Sequence, residues 1–168
     1  MPHASKSGTA GACAIAAAVS LAIEGDSSIE QVLEAALSGA LLGEKAGFDI
    51  PSPSIAARIQ LAIELVEKNR KNGFEQTCLD LYRYIGASMK SYESIPLSLG
   101  IFYAAEGDVK KGIIGAVNIG DDADTNASIV GDLCGAFSGT DKVNPQWINH
   151  IQSQNHIDFK EIAQALIA

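Results

Sequence analysis

Between Asn118 and Thr125 the chain reads Asn-Ile-Gly-Asp-Asp-Ala-Asp-Thr, so three carboxylates, a hydroxyl and an amide fall within eight residues. Carboxylates held this close repel one another, and a folded chain keeps such an arrangement at least cost when a cation offsets the repulsion. The donors are hard oxygens, which suit Mg²⁺, Mn²⁺ or Ca²⁺ rather than zinc. The competing reading makes one Asp a helix cap and leaves its neighbours solvated.

These residues need a scaffold, and the surrounding pattern is helical throughout. Ser27 and Ser28, followed three residues later by Glu30 and Gln31, are capping-box candidates ahead of Val32–Leu37. Ser52 and Pro53 form the expected start of a helix that runs to Gly73, with Ile55, Ile59, Ala62, Ile63 and Val66 on one face. Further helices are expected near 73–84, 96–105, 108–117, 125–137, 145–152 and 158–167. The run Gly112–Val117 has the composition of a short buried strand, but Asp108 as a cap and the lack of alternation elsewhere favour helix. No linker or repeat divides the chain, which therefore reads as one all-α unit over residues 1–168. In the helix after the acidic run, Ala127, Gly131, Gly135 and Gly139 recur every four residues. Such a row predicts close backbone packing and a helix buried deep in the domain, with first-turn N–H groups directed at the acidic loop.

Composition narrows the function classes. The 168 residues are 47% apolar and 19% charged, as in a globular domain. A net charge of −8 argues against non-specific nucleic-acid binding, which needs clustered cations. Lys68, Arg70 and Lys71 form one small basic group, placed where a helix C-terminus favours positive charge. No stretch approaches the ~20 strongly apolar residues of a membrane span. The Ala-rich run Thr9–Ile23 is mostly Ala and has little of the Leu or Phe of a signal-peptide core. Cys13, Cys78 and Cys134 match no metal-ligand spacing and read as structural thiols of a reducing, cytoplasmic compartment.

The acidic run also carries a resemblance. Gly120-Asp121-Asp122-Ala123-Asp124-Thr125-Asn126-Ala127, preceded by Ala116-Val117-Asn118 and followed by Gly131 and Gly135-Ala136, resembles the C-terminal signature of the ADP-ribosylglycohydrolases. Tyr92-Glu93-Ser94-Ile95-Pro96, Asn144-Pro145-Gln146-Trp147 and Pro2-His3-Ala4-Ser5 resemble three further family segments, so the likeness extends over essentially the whole chain. It implies an all-α fold and a pair of Mg²⁺ (or Mn²⁺) ions, with Asp122, Asp124 and Thr125 as the C-terminal ligands and His3 facing the substrate. It also implies hydrolysis of a glycosidic bond to ADP-ribose, on an ADP-ribosylated substrate or a related ribosyl nucleotide. Asp121 departs from the pattern, since the family has a second Gly there. Complete members are also longer, and their N-terminal half supplies a Glu and a Thr-Asp-Asp run to the metals. Glu44-Lys45 and Glu93-Ser94 do not replace that run. The chain is thus expected to resemble the C-terminal half of such an enzyme, with at most part of the metal site and no turnover alone. The alternative is a non-catalytic helical binding or assembly module of the same fold, which would self-associate or pair with a missing N-terminal half. A haloacid-dehalogenase-like loop fits poorly, because Thr125 follows Asp124 directly and the α/β alternation is absent.

Overall fold

The computed structural model describes residues 4–167, in which nine α-helices follow one another without a β-strand. They are α1 (Lys6–Ala22), α2 (Ile29–Gly43), α3 (Ile55–Asn69), α4 (Phe74–Ile85), α5 (Ser91–Ala104), α6 (Val109–Ile119), α7 (Ala123–Ser138), α8 (Pro145–Asn155) and α9 (Phe159–Ile167). Extended pairing among these residues is confined to one isolated bridge between Ser5 and Phe48, which ties the start of α1 to the loop after α2. The all-α expectation is met, and the run Gly112–Val117 lies inside α6.

Local chemistry sets most helix starts. Ser28 and Gln31 form a reciprocal capping box on α2, while Ser27 instead donates to the Leu21 carbonyl. Asp108 accepts from the Lys111 N–H and caps α6. Two starts differ from expectation. The cap of α3 is Ser54, not Ser52, and the helix begins after Pro53. Glu44 decides this: its Oε1 accepts from Ser54 Oγ at 2.7 Å and from the Ala56 N–H at 3.3 Å, fixing the first turn of α3 to the end of α2. Helix α5 begins at Ser91, five residues ahead of Pro96, which sits inside it. Pro96 removes one intrahelical bond, a loss that the burial of α5 from Ser94 through Tyr103 outweighs.

That unbroken burial identifies α5 as the central helix. It packs against α1, α3, α4, α6 and α7, and its side chains are apolar or small on every side. The expectation that α7 would be buried deep in the domain is corrected. Helix α7 buries only Asn126, Val130, Leu133 and Cys134, and exposes Asp124, Thr125, Ser128 and Asp132. Its glycine row is not a packing seam among the described residues. A Cβ on Gly131 would meet Ile113 at an ordinary 3.5 Å, one on Gly135 would meet nothing within 4 Å, and Gly139 ends the helix with φ near 80°. Close packing occurs instead between α1 and α2. Ala10, Ala14, Ala18 and Ala22 of α1 are fully buried, and a Cβ on Gly39 of α2 would fall 2.4 Å from the Cys13 carbonyl oxygen. The Ala-rich N-terminal run is thus a core helix. No helix among the described residues is long and apolar enough to cross a membrane. Helices α8 and α9 form where expected but bury none of their described residues, leaving Ile151, Phe159, Ile162 and Leu166 exposed.

Candidate metal centre

The acidic loop joins α6 to α7 through two residues in left-handed geometry, Gly120 at φ 82° and Asp121 at φ 56°. Asp is among the few non-glycine residues that occupy this region readily, which explains how the loop accommodates Asp121. The turn places Asp122 at the N-cap of α7. Its side chain does not cap the helix, in contrast to Ser5, Ser28, Ser54 and Asp108 at their own helices.

The Asp122 carboxylate is spent differently. Oδ1 accepts from the Thr125 hydroxyl at 3.1 Å, and Oδ2 is buried with no hydrogen-bond partner. A buried carboxylate oxygen left unpaired costs free energy, on the order of 1–3 kcal/mol or more for a charged group. A cation offsets that cost directly. The structure therefore brings together two of the three expected ligands, Asp122 and Thr125. Asp124 lies exposed in the first turn of α7, two residues from Asp122. His3 lies outside the described residues.

As a donor set, two carboxylates and a hydroxyl fit a hard divalent ion in kind. They amount to part of a shell, and the described residues contain no group of three or more His, Cys, Asp or Glu side chains able to hold a metal. The other carboxylates considered are engaged elsewhere. Glu44 holds the start of α3, and Glu93 Oε2 accepts from the Ser88 N–H at 3.2 Å. Two of the three thiols, Cys78 and Cys134, are buried. Burial pushes Cys78 and Cys134 up to about 12, so both are neutral at physiological pH.

Sequence reasoning passed over Asn126, which stands next to Thr125 and is fully buried. Its Nδ2 donates to the carbonyls of Ala87 and Asp122, each at 2.9 Å, and its Oδ1 accepts from Ser98 Oγ at 3.4 Å. The Asp122 N–H donates to the same Ala87 carbonyl at 3.1 Å. One signal was available: an amide at a position where the α7 pattern places the apolar face, four residues before Val130. A cavity of about 650 Å³ between α4 and α6 is lined by none of the three candidate ligands, although Asn118 and Ile119 in its lining lead into the acidic loop.

The model of the ADP-ribosylglycohydrolase family matches residues 1–168, and the chain belongs to that family. Among curated relatives, the uncharacterized protein YegU of Escherichia coli (strain K12) is 30% identical over 164 residues, covering 98% of this chain and 48% of that protein. The ADP-ribosylhydrolase ARH3 of Homo sapiens is 26% identical over 184 residues, covering 99% of this chain and 49% of that protein. The Bos taurus ARH3 matches at the same identity over 48% of its length. The chain thus spans about half the length of the curated relatives it matches.

Proposed function

We propose that this chain carries the C-terminal portion of the metal site of a glycohydrolase acting on glycosidic bonds to ADP-ribose, with Asp122, Asp124 and Thr125 as ligands to Mg²⁺ or Mn²⁺. The observation that carries the reading is the buried, unpartnered Oδ2 of Asp122 beside a hydroxyl bonded to Oδ1. Family membership and the names of the ARH3 relatives support the substrate class, and His3 is the proposed substrate-facing residue.

When bound, the ion supplies Lewis-acid polarisation of substrate oxygens and neutralises their charge. The chain's own residues do the rest. Thr125 holds the Asp122 carboxylate in one orientation, so that Oδ2 is the oxygen offered to the ion. Because no side chain caps α7, its first-turn N–H groups are available to an anionic or hydroxyl oxygen of the substrate, where the helix dipole favours negative charge. With only two Asp and one Thr, Mg²⁺ would keep most of its waters and bind weakly, and the chain alone is expected not to turn over.

The test is thermal. Mg²⁺ or Mn²⁺ is expected to raise the Tm of the native chain and to leave that of the Asp122→Ala/Asp124→Ala variant unchanged. An equal shift in both would defeat the ligand assignment. Robust metal-dependent release of ADP-ribose by the chain alone, abolished by Asp124→Ala, would instead show that the residues present suffice for turnover.

A further inference from the structure

We infer that Asn126 is a positioning residue for Asp122. The inference rests on the metal reading above and adds the device that holds its ligand. The backbone of Asp122 is held on both sides. Its N–H donates to Ala87, and its carbonyl accepts from both the Asn126 N–H at 3.1 Å and the Asn126 side chain at 2.9 Å. Asn126 Nδ2 also binds the Ala87 carbonyl, 39 residues away in sequence, so one amide group bridges the acidic loop and the α4–α5 turn.

That turn is itself held from two helices. Arg58 of α3 donates through Nη2 to the Ile85 carbonyl, and Glu93 of α5 accepts from the Ser88 N–H. Gly86 between them has φ 91°, and a Cβ there would lie 2.4 Å from Glu93 Oε2, so the turn accepts no side chain at this point without movement. Ser98 of α5 completes the set by fixing the Asn126 amide from the Oδ1 side. Both donors of a buried amide are therefore directed at carbonyls that define where Asp122 stands, and the Oδ2 of Asp122 is left without a partner. A leucine of similar size keeps the packing but removes both donors. A serine keeps a donor able to reach the carbonyl four residues back, that of Asp122, and loses the link to Ala87.

Mn²⁺ titrated into the full chain, with the free-ion signal followed by electron paramagnetic resonance, separates positioning from simple support. Circular dichroism at the same temperature establishes that each variant is folded. Asn126→Leu is expected to weaken Mn²⁺ binding tenfold or more, Asn126→Ser to fall between it and the native chain, and Asp122→Asn to lose at least as much as Asn126→Leu. If both Asn126 variants bind Mn²⁺ within twofold of the native chain while Asp122→Asn loses it, Asn126 only supports the fold and the inference fails alone. Should Asn126→Leu not fold, Asn126→Ser decides by the same twofold limit. If Mn²⁺ binding is undetectable in the native chain, or unchanged by Asp122→Asn, the metal reading itself has failed and the inference falls with it.

Discussion

Two sets of glycines in this chain look alike in sequence and do opposite things. On α2, Gly39 and Gly43 lie four residues apart and let α1 approach until their missing side chains would strike backbone. A Cβ on Gly43 would lie 2.6 Å from Ala10 Cα, and one on Gly39 would lie 2.4 Å from the Cys13 carbonyl. On α7, Gly131 and Gly135 have the same spacing, yet the nearest neighbour to either is Ile113 at 3.5 Å. A small-residue row therefore permits close packing without requiring it. What separates the two is the facing surface: α1 presents a stripe of four buried alanines, whereas α6 presents the longer Ile113 beside Gly131.

The comparison breaks most sharply at the α1–α2 seam. Gly39→Ala forces the two backbones apart and is expected to cost about 3 kcal/mol, lowering Tm by roughly 6–12 °C. A scanning-calorimetry midpoint near that of the native chain would show that the helices separate freely there. Gly86→Ala probes the turn that anchors the acidic loop, where a side chain must adopt left-handed geometry and displace Glu93. A loss of about 1–2 kcal/mol is expected in urea unfolding, and Glu93→Ala in the same background recovers part of it if the clash contributes. Gly135→Ala is the smallest effect and has the opposite sign. With no neighbour within 4 Å, the alanine adds helix propensity and is expected to stabilise by about 0.5–1 kcal/mol. Destabilisation on that substitution would mean that a surface beyond the described residues packs on α7.

Much of the helical frame was legible because helix starts are local events. Ser28 with Gln31 and Asp108 with Lys111 need only three residues to declare themselves, and the α3 face of Ile55, Ile59, Ala62 and Val66 needs only a period. Where a start depended on a remote partner, the local reading slipped. Ser54 and not Ser52 caps α3 because Glu44, ten residues earlier, binds its hydroxyl. Pro96 marked a helix start on local rules, but the burial of α5 on every side carries the helix through it. In the candidate site, residue type and spacing marked the acidic run, the family resemblance singled out Asp122 and Thr125 within it, and their three-residue offset brings them within hydrogen-bond distance. Asn126 was not, since its role depends on Ala87 and Ser98, neither near it in sequence.

Residue order alone determined that this protein is helical, where most of its helices begin, and that it carries the acidic signature of the ADP-ribosylglycohydrolases. The first two properties follow from hydrogen bonds and periodicities spanning three or four residues, and the third from the resemblance of one short motif. Tertiary structure decided which helix is central, which glycines are packed upon, and which atoms hold Asp122 in place. These depend on surfaces and carbonyls that meet only after chain segments tens of residues apart have come together, and no short-range rule contains that information.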